Sequence, residues 1–159
     1  MESKAFQDHY AEAVSHCYGC GRSNESGLHV KSYWEGEESV CRFDPKPYHT
    51  GIPGYVYGGL IASVIDCHAT ATASASACRA EGHEVGTVPM SRFVTGSLRV
   101  DYLLPTPIDH PMVFRARVTE MKGRKAVVSI SMVSAGEERV RGELVAVRIP
   151  ANWLTGTAP

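Results

Sequence analysis

The chain has no excess of charge of either sign: 16 lysines and arginines stand against 17 aspartates and glutamates, a formal net charge of −1. That balance excludes the basic footprint of a general nucleic-acid or membrane-surface protein. No apolar stretch approaches the ~20 residues needed to span a bilayer. The opening residues, Met1 to Asp8, hold no apolar signal core, so a cytoplasmic protein is expected. There is no internal repeat and no low-complexity linker. Two catalytic signatures are also missing. Without Gly-x-Ser-x-Gly there is no nucleophile elbow, and without Gly-x-x-x-x-Gly-Lys-Ser/Thr there is no phosphate loop. The five cysteines (Cys17, Cys20, Cys41, Cys67 and Cys78) are odd in number, which fits reduced thiols better than a disulfide framework.

What remains is a chain of 159 residues, long enough for one domain with a real core. Residues 1–16 read as an arm or short helix, 17–151 as a single domain and 152–159 as a tail. Alternation from Leu28 to Trp34 predicts a first strand, and Ser39 to Phe43 a second. Pro45, Pro47, Gly51, Pro53 and Gly54 then enforce a loop. From Gly58 to about Arg79 there is no proline, and Leu60, Val64, Cys67, Ala71 and Cys78 recur at helical spacing. The second half of this helix carries mostly alanine, threonine and serine, so tertiary packing rather than propensity must hold it. Gly82 supplies its stop. Three period-two stretches follow, and then a continuous apolar run. In the first, Val94, Leu98, Val100 and Tyr102 oppose Thr95, Ser97, Arg99 and Asp101, and Leu144 to Val147 reads as part of an interior strand. Two strands, one long helix and four strands make an α+β layer arrangement.

The most informative segment is Gly51-Ile52-Pro53-Gly54-Tyr55-Val56-Tyr57-Gly58-Gly59, which breaks into the helix at the glycine pair with Asp66 two turns further in. A helix start presents unpaired N–H groups and a positive dipole end, which can hold a developing oxyanion. A lone acid in an otherwise apolar helix invites a functional reading. Cys17-x-x-Cys20 is the tempting metal motif, but a closed zinc site needs two more ligands. His16 is adjacent and no second knuckle follows, so neither metal nor cofactor is expected.

This order of elements, with Gly58 and Gly59 opening the helix and an acid eight residues after the first glycine, resembles the hotdog fold: one long central helix wrapped by an antiparallel sheet of five to six strands. More narrowly it resembles the acyl-CoA thioesterases of the phenylacetate-pathway type. Gly51 to Val56 is similar to that family's lead-in, Thr95 to Pro105 to its third-strand signature, and Cys17-Tyr18-Gly19-Cys20-Gly21 with Gly27-Leu28 to the opening of one thioesterase-like subgroup. The likeness spans residues 17 to 149. One departure stands out: the family's histidine before the glycine pair is Tyr57, which offers a phenol in place of an imidazole.

The resemblance implies an acyl-CoA thioesterase with coenzyme A as part of the substrate. Asp66 would act as nucleophile or as the base for water, and Gly58 would donate its amide to the thioester oxygen. Thr95 would supply the assisting hydroxyl, with Tyr57 at the same oxygen or walling the pocket. Gly59 and His49 are candidates at the substrate entrance. Arg92, and Arg124 in the turn Lys122-Gly123-Arg124-Lys125, are candidates for the nucleotide phosphates, set against the plainer reading of an exposed basic turn. His68, about 200° around the helix from Asp66, reads as structural. Small helix residues opposite Val94 and Leu98 leave room for a medium-chain or aromatic acyl group. The family's site is composite, so a homodimer, or a dimer of dimers, is expected. The segment Glu81 to Met90 is longer than in the family and is a candidate to shape the acyl pocket or an oligomer contact. Two other readings stay open: a non-catalytic acyl-thioester binding protein, favoured by Tyr57, and a hotdog dehydratase drawing its histidine from His49 or His68.

Overall fold

In the computed structural model, which describes residues 4–155, the elements are β1 (Tyr33–Glu35), β2 (Glu38–Phe43), α1 (Gly58–Ala80), β3 (Phe93–Tyr102), β4 (Met112–Lys122), β5 (Lys125–Ser134) and β6 (Glu137–Arg148). The six strands form one antiparallel sheet in the order β1-β2-β4-β5-β6-β3, and α1 lies along it. This is the architecture implied by the hotdog resemblance. The sheet's inner face is built by cross-strand partners of matching chemistry: Phe114 opposite Met132, Ile130 opposite Gly142, Val128 opposite Leu144, Ala126 opposite Ala146. Gly142 makes room for the helix, since a Cβ there would lie 3.3 Å from Ile65 Cγ2. The apolar run Leu144 to Val147 is interior because β6 pairs with β5 on one side and β3 on the other.

Residues 67–75 of α1 are all buried, around the whole circumference. The sheet covers one side. The other is covered by the N-terminal segment, where two 3-10 turns (Phe6–His9 and Glu12–Val14) seat Phe6 and Tyr10 against Ala71, Ala75, Cys78 and Met90. Small side chains let both layers come close. The hydroxyls this demands are satisfied inside the helix: Ser63, Thr70, Thr72 and Ser74 donate to carbonyls four residues back at 2.7–3.0 Å. Overpacking should therefore be costly. Ala71→Leu is expected to lower unfolding stability by about 1–3 kcal/mol, readable as a fall in urea midpoint at unchanged slope.

Two expectations need correction. The first strand does not run from Leu28. His29 sits in the left-handed region (φ 54°), and the following backbone spends its hydrogen bonds elsewhere. Leu28 and Val30 N–H donate to the Tyr18 and Gly19 carbonyls at 2.8 and 2.9 Å, and the Ser32 carbonyl accepts from Phe6. Only Tyr33–Glu35 is left to pair with β2.

The second correction concerns the faces of β3. Thr95 pairs with Ala146 and Ser97 with Val145, so Gly96 is an extra residue in a bulge. The bulge shifts the alternation by one. Thr95 thereby joins Leu98, Val100 and Tyr102 on the helix side, and Val94 turns outward with Ser97 and Arg99. A Cβ at Gly96 would meet the Val145 carbonyl at 3.2 Å.

Gly82, at φ 82°, ends the helix as expected. The long segment after it packs Val85, Val88 and Met90 around the Phe6–Tyr10 cluster.

Candidate active site

The glycine-rich lead-in is pinned on both sides before the helix begins. Gly51 N–H bonds the Tyr55 carbonyl at 3.0 Å, Val56 N–H the Thr106 carbonyl at 2.9 Å and Tyr57 N–H the His49 carbonyl at 2.8 Å. Tyr57 is the residue before the first helical turn and makes no side-chain capping bond. Its exposed ring instead folds back over Gly59, where a Cβ would lie 2.4 Å from Tyr57 Cε1. On the other side Tyr102 Oη donates to the Gly58 carbonyl at 2.7 Å. Burial, and then the neighbouring Tyr57, raise the Tyr102 phenol above its ordinary range. The helix start is thus bracketed by two phenols and faces an apolar cavity of about 560 Å³ that includes Ile52, Tyr55, Gly58, Tyr102 and Leu104. Tyr102 was legible in the sequence only as a strand residue; what brings it here is the length of β3.

Asp66 lies about 12 Å further along the helix axis at 1.5 Å per residue. Thr95 Oγ1 donates a hydrogen bond to Asp66 Oδ1, a contact that exists because the Gly96 bulge turns Thr95 inward. Asp66 is half-buried and lines a second cavity, of about 390 Å³, with Ser63, Leu98, Cys17 and Cys67. Leu98 faces this cavity, and Val94, turned outward by the bulge, does not.

The side chains of the other candidates are not brought to either place within this chain. His49 Nδ1 accepts from the Lys46 amide at 2.9 Å, and its ring sits among Phe43 and Tyr48. Burial and the Lys46 charge lower its pKa. The Arg92 guanidinium lies 4.3 Å above the Tyr10 ring and 4.0 Å from Cys20 Sγ, committed to interior partners. Arg124 donates to the Arg148 carbonyl at 3.0 and 2.9 Å, and Arg148 pairs with Glu81, just past the helix C-terminus. Arg124 thus stands at the opposite end of α1 from Gly58. The Glu81–Met90 segment lines a third cavity, with Trp34 and Arg79, rather than either of the first two.

His68 is fully buried. Its Nδ1 is 2.8 Å from Ser32 Oγ, which also accepts from Gln7 Nε2 at 2.8 Å. Burial pushes its pKa down to about 3 from 6.5. The unfolded chain then binds the extra proton between those values, so stability is fully present above about pH 6.5 and falls as pH drops through the window toward 3. The slope approaches ~1.4 kcal/mol per pH unit. Urea unfolding between pH 7 and 5 should show this loss in the wild type and a flatter profile in His68→Asn; equal slopes would contradict it.

The sequence offered Cys17 and Cys20 as a pair. The fold adds Cys67 from α1, so that three thiols lie with their sulfurs within 4.8 Å of one another. Fifty residues separate it from Cys17, and its place in the helix pattern marked it only as core.

Residues 53–140 match the profile of the thioesterase superfamily. The chain belongs to this superfamily. It is 29% identical to the rat (Rattus norvegicus) acyl-coenzyme A thioesterase THEM4 over 155 residues, 91% of this chain but 61% of that protein, so it spans well under the relative's full length. Among solved structures, a thioesterase superfamily protein from Shewanella loihica PV-4 is 43% identical, with a TM-score of 0.64 over 87% of this chain and 97% of that one. The E. coli PaaI protein from the phenylacetic acid degradation operon is 14% identical, with a TM-score of 0.62 over 77% of this chain and 81% of that chain, and shares the hotdog fold. No helix among the described residues of this superfamily member is long and apolar enough to cross a membrane.

Proposed function

We propose that this protein hydrolyses acyl-CoA thioesters, at a site made by two copies of the chain. The Thr95–Asp66 hydrogen bond carries the proposal. An accepted proton holds one carboxylate oxygen in place and leaves the other to attack the thioester carbon or to take a proton from water. The Gly58 amide, first in the helix and without a partner inside it, is placed to receive the negative charge growing on the thioester oxygen. These groups lie about 12 Å apart along one helix, too far for a single carbonyl carbon. The reaction therefore needs Gly58 from one copy and the Asp66–Thr95 pair from another.

The unpaired outer edge of β3, which carries Thr95, is the natural junction: ten residues long, bonded only to β6, and an open template for a second β3. Tyr57 and Tyr102 wall the oxygen site, and the apolar cavity before Gly58 suits an acyl chain of medium length or an aromatic acid. Arg124, remote from Gly58 in its own chain, can serve coenzyme A phosphates only across that junction.

A binding protein without turnover is the second reading, favoured by Tyr57 in the place of the family's histidine. The dehydratase reading loses its support, because His68 is sealed in the core and His49 is tied to the Lys46 amide. The deciding assay is thiol release from aliphatic and aromatic acyl-CoAs, wild type beside Asp66→Asn. Binding with no release on any substrate would select the second reading.

A further inference from the structure

The turn Cys17-Tyr18-Gly19-Cys20-Gly21 is not used by the proposed hydrolysis, yet it is built more tightly than a loop needs. Gly21 N–H closes it on the Cys17 carbonyl at 2.8 Å, and the Tyr18 and Gly19 carbonyls accept from Leu28 and Val30. Both glycines are obligatory. A Cβ on Gly21 would lie 2.4 Å from the Ser15 carbonyl oxygen, and one on Gly19 only 2.2 Å from Cys67 Sγ. The second of these shows what the turn is pressed against: a thiol of the central helix.

The sulfur geometry is that of a coordination site. Zinc–thiolate bonds of about 2.3 Å in a tetrahedron put neighbouring sulfurs about 3.8 Å apart. Cys17 and Cys67 Sγ are separated by 3.8 Å, and all three sulfurs lie within 4.8 Å of one another. The surroundings suit thiolates. The Arg92 guanidinium stands 4.0 Å from Cys20 Sγ. Three thiolates around a divalent ion leave one negative charge, and the half-buried Arg92 beside them offsets it. Cys20 and Cys67 are buried, while Cys17 and Cys67 line the Asp66 cavity.

We propose that Cys17, Cys20 and Cys67 bind a soft divalent cation, zinc, with the fourth coordination position open to the cavity that holds Asp66. Three sulfur ligands select zinc over magnesium or calcium, and water from the cavity completes the tetrahedron. Binding displaces the thiol protons to solvent, and no electron is transferred. The ion ties the N-terminal turn to α1 directly behind the acid, so its occupancy sets the wall of that cavity. The site stands independently of the thioesterase reading.

The test is a titration of reduced, metal-free, full-length protein with cobalt(II), whose thiolate complexes are coloured. One equivalent is expected to produce sulfur-to-cobalt charge-transfer bands with tetrahedral ligand-field intensity, displaced by one equivalent of zinc. Cys17→Ser, at the half-exposed position, should weaken binding at least ~10-fold with an unchanged circular dichroism spectrum, and Cys67→Ser should do the same. Cys41→Ser and Cys78→Ser should bind as wild type. The proposal is overturned if the reduced wild type shows no thiolate–cobalt bands, or if Cys17→Ser shows them at full strength. It is also overturned if the protein as purified is lighter by two hydrogens, with Cys17 joined to a neighbour, and takes up no metal after reduction.

Discussion

Asp66→Asn lowers kcat for thiol release by about 10²–10⁴-fold while the protein stays folded. The substitution is isosteric, and the asparagine carbonyl can still accept the hydrogen bond from Thr95 Oγ1, so the half-buried helix position keeps its partner. What disappears is the negative charge, needed equally by a nucleophile and by a base. Substrate binding uses the acyl cavity and the coenzyme, so KM should change far less than kcat, the signature of an interaction made only in the transition state. Thr95→Val should cost less than Asp66→Asn, and Thr95→Ser should recover most of the loss, because a serine retains the donating hydroxyl. Near-normal turnover in Asp66→Asn, measured beside an unchanged thermal melt, would remove Asp66 from the mechanism.

Gly58→Pro is the second large effect, an expected loss of about 10²–10³ in kcat. Alanine would be uninformative, since it keeps the N–H. Proline deletes that one atom at the helix position that tolerates it best, the first. The preceding residue is already suited: Tyr57 sits at φ −59° and ψ 126°, the extended region proline requires before it. The added Cβ meets Tyr102 Cε1 at 3.3 Å, the side of a phenol that can shift by a few tenths of an ångström.

The pair of variants also tests the composite site. A mixed dimer of Gly58→Pro and Asp66→Asn chains contains one site with both mutations and one with neither. Mixing two inactive proteins after dissociation should therefore restore activity. If each copy carried a complete site, mixing would restore none, and the two-copy reading would fail.

Much of this was legible before any fold was known, because it rests on local rules. A proline-free run with periodic apolar residues between a glycine-rich lead-in and Gly82 determines α1 to within a residue or so at each end. Gly-Gly at the helix start and an acid eight residues later mark the amide and the carboxylate on which the proposed chemistry rests. Alternation along β4 and β5 determines which of their residues face the core, since side chains on a strand must point to opposite faces. The alanine, serine and threonine of the helix already implied that neighbours would come close.

The tertiary structure decided whatever depends on partners distant in the chain. A one-residue bulge at Gly96, placed by pairing with β6, turned Thr95 toward Asp66, although unbroken alternation puts it on the opposite face. Residues 28–32 look like a strand but lost that pairing to the Cys17–Cys20 turn and the N-terminal segment. Arg92 looks like a phosphate ligand until Tyr10 and Cys20 are seen to hold it. Tyr102 reached Gly58, and Cys67 reached Cys17, across 44 and 50 positions. Local propensity and periodicity are short-range and print themselves in the sequence. Register, burial and the meeting of distant side chains follow from how the layers pack, and no single segment carries that information.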